Sequence, residues 1–180
     1  MSRTGPQDVT IKQLYTVGYE GAELSAFLTT LCHLGIRQII DVRELPLSRR
    51  RGFSKRALSE ALQQKGISYT HLKELGDPKP GREAARRGDF AEFRRIYKQH
   101  LRKVSSQEAL AVVADLAAKQ RSCLLCYERD SVHCHRSIVS AALAEDWKFT
   151  VNHIGVRDNI GPKKNQVVQD RDRFRAYAVG

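Results

Sequence analysis

The feature that most constrains this chain is an alternation. Short apolar runs end in polar clusters, and each is followed by residues at helical spacing. Residues 13–17, 37–42, 67–70, 122–126 and 149–154 read as strands. Between the first two, Leu24, Phe27, Leu28, Leu31 and Leu34 recur every three or four positions, and Gly35 closes that helix. Ser54 is placed to cap a helix that runs to about Gln64. Phe90, Phe93, Ile96, Tyr97 and Leu101 mark another. Leu110, Val113, Leu116 and Ala117 mark the next, with Ser106 as its expected cap, and residues 134–144 form the last. Residues 77–82, Asp-Pro-Lys-Pro-Gly-Arg, read as a loop that is mobile or covers a substrate. Such a chain is expected to be α/β: a single domain with a mostly parallel central sheet of about five strands, flanked by helices. The domain is expected over residues 13–156, after a polar segment 1–12 and before a basic, polar tail 157–180.

In open α/β sheets, ligands bind beyond the carboxyl ends of the strands. Polar residues collect at those ends: Tyr19 and Glu20, Asp41 and Arg43, His71, Cys126 and Glu128, and His153. They are expected to share one rim. The richest stretch runs from Leu124 to Ser137, where a strand ends at Cys126 and Cys134-His135-Arg136 opens a helix. Free amides at a helix start attract anions and favour thiolate. Glu128, Glu20, Cys126 and His135 are therefore candidate catalytic groups. Tyr19, Asp41, Arg43, Ser48, Arg49, Cys134 and Arg136 are candidate phosphate contacts. Arg50, Arg51 and Lys55 with Phe53 suit a phosphate backbone and a stacked base. Each has a structural alternative: buried cysteines as small hydrophobes, a Glu128–arginine ion pair, a solvated basic face.

Zinc on Cys123, Cys126, Cys134 and His135 is not expected. Leu124 and Leu125 fill the first gap, Cys123 and Cys126 point to opposite faces of a strand, and Cys134 adjoins His135. No metal and no cofactor is expected.

The formal net charge of +11 over 180 residues raises the prospect of a polyanionic partner: DNA, RNA or a nucleotide. No stretch is long and apolar enough to suggest a membrane span, and the start lacks a secretory pattern. A cytoplasmic location with reduced thiols is the expectation.

Several motifs occur in order. They are Thr16-Val17-Gly18-Tyr19-Glu20-Gly21; Ile40-Asp41-Val42-Arg43 with Pro46 and Ser48-Arg49; Gly52-Phe53-Ser54-Lys55; Tyr69-Thr70-His71 with Glu74-Leu75-Gly76; and Leu125-Cys126-Tyr127-Glu128 with Cys134-His135-Arg136. On these the chain resembles the bacterial and archaeal family named domain of unknown function 488, over about residues 14–156. The resemblance implies an α/β domain with a site built from these motifs, and it implies no reaction. A fainter likeness to rhodaneses and cysteine phosphatases fails on spacing: their compact loop of about five residues is absent between Cys126 and Arg136. The expected function is a hydrolase or group transferase acting on a nucleotide or nucleic-acid component. The alternatives are a non-catalytic nucleic-acid-binding module and a small-anion or thiol-redox enzyme using Cys126.

Overall fold

A computed structural model describes residues 12–156. The expected segment 1–12, apart from Lys12, and the expected tail 157–180 lie outside the described residues. The elements run β1 (Gln13–Gly18), α1 (Leu24–His33), β2 (Gln38–Asp41), α2 (Lys55–Gln63), β3 (Ser68–His71), α3 (Lys79–Arg86), α4 (Phe90–Leu101), α5 (Val104–Lys119), β4 (Ser122–Cys126), α6 (His135–Trp147) and β5 (Thr150–Ile154). The fold is α/β, with a five-stranded sheet in the order β3-β2-β4-β1-β5. Every strand pair is parallel.

The strand order places the site. β1 leads to β2 two positions away, and β4 later fills the gap between them. Such a reversal of strand order is where α/β sheets open a crevice for ligands. β4 is buried at all five residues, as a strand with neighbours on both edges and helices on both faces must be. Its side chains alternate. Leu124 joins a core with Leu14, Ile40, Tyr97, Val113 and Val139. Cys123 and Leu125 join the opposite core with Val17, Phe27, Ile39 and Leu58. Cys126 therefore falls on the Leu124 face, the face covered by α4, α5 and α6.

Two local expectations change. Residues 79–86 of the expected loop and its surroundings form the helix α3. Pro80 lies in the first turn, where its missing N–H breaks no helical bond. Ser106 lies inside α5 and not at its cap, which is Lys103. Its hydroxyl instead donates to the Glu74 and His100 carbonyls. Local composition signals a break correctly, but neighbouring backbone decides which side of it stays helical.

Candidate active site

Cys126 ends β4 beside Gly18, its register partner on β1. A Cβ on Gly18 would lie 1.7 Å from the Glu128 carbonyl oxygen, so only glycine lets the segment after β4 pass this closely over β1. That passage folds Glu128 back over Cys126. The Cys126 and Cys134 thiols both donate to Glu128 Oε2, at 2.9 and 3.1 Å. Cys134 is the N-cap of α6, and its sulfur accepts from the Arg136 N–H at 3.5 Å. His135 follows in the first turn. Its Nε2 lies 2.8 Å from the Val42 carbonyl and must donate to it. Its Nδ1 then faces Cys126 Sγ at 3.6 Å and Cys134 Sγ at 3.9 Å.

Burial pushes the Cys126 thiol well up, and Cys134 and Glu128 add to the rise. Burial opposes charge on Cys134 too, but the Cys126 hydrogen bond, His135 and Arg136 outweigh it and hold Cys134 well below an ordinary thiol. Burial lowers His135, whereas Cys134 and Glu128 lift it, to about 9. Glu128 is raised, chiefly by burial and then by Cys134. Of the two thiols, the surroundings thus lower Cys134 and raise Cys126.

Cys126, Glu128 and His135 form one wall of a cavity of about 730 Å³ at the carboxyl ends of the strands. Tyr19, Arg43, Ser48, Arg49, Arg50, Asp77, Arg82, Arg86 and Tyr127 also line it. Arg49 and Arg86 are exposed and have no carboxylate partner among the described residues. Arg50 is tied to the Ala22 carbonyl and Glu23, and Arg82 to the Asp77 carbonyl and Glu44. Leu45 and Leu47, 56% and 74% exposed, add apolar surface beside these charges.

Several candidate residues serve the framework. Asp41 is fully buried and holds Arg43 by three side-chain hydrogen bonds at 2.8, 3.1 and 2.6 Å. Arg43 also donates to the Tyr19 hydroxyl and the Phe53 carbonyl, so most of its donors are already engaged. Breaking such a buried pair from one side costs about 3–5 kcal/mol. Arg136 gives its guanidinium to Thr16 Oγ1 and to the Glu128 and Arg129 carbonyls. It fixes the segment after β4 instead of presenting itself to a phosphate. Phe53, expected to stack on a base, is 1% exposed, stacked on Tyr19 at 4.4 Å, and offers no face to one. Ser48 shapes its own loop by accepting from the Arg50 N–H. Arg51 and Lys55 are exposed and lie outside the cavity lining. Glu20 is exposed, accepts from the Arg129 N–H and does not line the cavity with Glu128. His71 bonds the Arg43 carbonyl, and His153 bonds Thr16.

Two residues enter that local sequence reading passes over. Asp77 is buried on the cavity wall, and its Oδ1 has no hydrogen-bond partner among the described residues. Burial raises its pKa to about 7, with Glu128 and Cys134 adding and His135 opposing. Tyr127 is 44% exposed and meets Tyr19 edge-on, leaving ring surface toward the cavity. An Asp-Pro turn and a tyrosine after a buried cysteine are the only signals for them, and neither is specific.

Among the described residues, no helix is long and apolar enough to cross a membrane. A family model described as "Domain of unknown function DUF488" matches residues 23–143. Comparison with curated proteins and with solved structures finds no match.

Proposed function

From a chain that belongs to the DUF488 family, we propose an enzyme that hydrolyses or transfers a group on a nucleotide or nucleic-acid component. One observation carries this reading: a cluster of two thiols, an imidazole and a carboxylate opens into a cavity rimmed by exposed arginines. Arg49 and Arg86 suit a phosphate, since a guanidinium meets phosphate oxygens with paired donors. Tyr127, Leu45 and Leu47 offer aromatic and apolar surface for a base or sugar. Glu128 and Asp77 share the cavity, and burial raises both; Asp77, at about 7, is in the range useful for moving a proton near pH 7. The formal charge of +11 favours the encounter with an anion.

The experiment is a titration of the full chain with a labelled single-stranded oligonucleotide and with nucleoside phosphates, at low and high salt. Binding is expected at low salt and weakens as salt rises. Combined Arg49→Ala and Arg86→Ala should lower affinity about 10-fold or more and flatten the salt dependence. Absence of binding at low salt, or unchanged binding by the variant, overturns the reading. A non-catalytic module would bind in the same way, yet no reaction would be found that Glu128→Gln and Asp77→Asn slow. A thiol enzyme is favoured specifically by the Cys134–His135 pair; rapid alkylation of Cys134 in the metal-free protein at neutral pH would support it.

A further inference from the structure

We propose that Cys126, Cys134, His135 and Glu128 form a zinc site on the cavity wall. Their donor atoms all lie within 4.8 Å of one another. Tetrahedral zinc with its usual bond lengths sets sulfur, nitrogen and oxygen ligands about 3.3–3.8 Å apart. His135 Nδ1 is 3.6 and 3.9 Å from the two sulfurs, and Glu128 Oε2 is 2.9 and 3.1 Å from them. To take a metal at their centre, the carboxylate must move away from the sulfurs, and the widest pair of donors, up to 4.8 Å apart, must draw in.

The imidazole supplies an independent sign. Its Nε2–H is committed to the Val42 carbonyl, which fixes the ring and turns Nδ1 toward both sulfurs. Metal-binding histidines are oriented in this way, with the outer nitrogen donating to a carbonyl or carboxylate. The objections to zinc from sequence concern Cys123 and the adjacency of Cys134 and His135. Cys123 does lie in the opposite core. Glu128, two residues after Cys126, takes its place. Cys134 is extended, with φ −116° and ψ 141°, just before the helix, and there adjacent side chains can converge.

Donor chemistry selects the ion. Two thiolates and an imidazole favour zinc over hard cations such as magnesium or calcium. Glu128 is less buried than the other three and lines the cavity. It is the ligand a water or substrate oxygen would replace, as at open zinc sites with three strong protein ligands. The metal site does not depend on the nucleotide reading.

The test uses the full chain, purified without a metal-affinity tag, equilibrated with zinc and freed of excess. One zinc per chain is expected. Cobalt(II) titration should give intense tetrahedral d–d bands and a thiolate-to-cobalt charge-transfer band. Cys134→Ser should weaken zinc binding by more than about 100-fold, beyond the 10–100-fold typical of losing a supporting hydrogen bond, while Cys123→Ala keeps the metal and both bands. In case a variant misfolds, alkylation of the wild-type chain gives the same information. Zinc should protect Cys126 and Cys134, read by mass spectrometry, and leave exposed Cys32 reactive. No stoichiometric zinc and no tetrahedral bands overturns the proposal. So does zinc retained by the Cys126→Ser, Cys134→Ser double variant, or protection confined to other cysteines. Zinc binding without nucleotide binding would sink the functional reading and leave the metal site standing.

Discussion

Asp77 shows how a single residue acquires a property its sequence neighbours do not announce. It follows Gly76, where a Cβ would come within 2.3 Å of the Glu44 backbone, so two loops touch there. Burial raises the pKa in the folded state to about 7, against 3.8 for the unperturbed group. A carboxyl with a raised folded pKa binds its proton more tightly when folded. Its contribution to stability is complete below about pH 4 and is lost as pH rises through 7. The groups nearest in charge are His135, Glu128 and Cys134. Asp77→Asn, which cannot ionise, is therefore expected to gain on the wild type between pH 4 and 7 and then level off. The gain should be about 2–4 kcal/mol, at roughly 1.4 kcal/mol per pK unit with some allowance for solvent screening. Urea unfolding of both metal-free proteins across that range measures it, and a constant difference would show that Asp77 stays ionised.

At the scale of elements, the site is a junction of β1, β4 and the start of α6. Gly18 is what allows them to close. Gly18→Ala should push the Glu128 segment away, cost about 1–3 kcal/mol, and make Cys126 and Cys134 react faster with thiol reagents. Gly66→Ala is the comparison. It has a positive φ of 67° but open space around it, so it should lose only about 1–2 kcal/mol of backbone strain and leave thiol reactivity unmoved. Equal thiol reactivity in the two variants would refute the close-passage role of Gly18. This junction also marks where sequence was and was not legible. Apolar runs located the strands because a central parallel strand must be apolar on both faces, as β4 is. The alternation of Cys123 and Cys126 between faces followed from the period of a strand. What periodicity cannot give is which way a loop residue turns. Arg136 and Phe53 looked outward in the sequence and are spent inward, on carbonyls and on Tyr19. Glu128 became a partner of both thiols only through a reversal of the chain after β4.

Across the whole molecule, strand order gathers these parts. Because β4 enters between β2 and β1, the ends of three strands bring Arg43, Cys126 and the Tyr19 loop to one cavity. The loop after β2 and the helix α3 supply Arg49 and Arg86 from opposite stretches of sequence. On the proposed function, this cavity receives a phosphate-bearing ligand beside the thiol–imidazole–carboxylate cluster. A crystal structure of the protein with a nucleoside monophosphate tests it most directly. The phosphate is predicted between Arg49 and Arg86, with the base or sugar against Tyr127 and the cluster facing the bound molecule. A nucleotide held only on the outer basic surface, with the cavity left empty at saturating ligand, would contradict it.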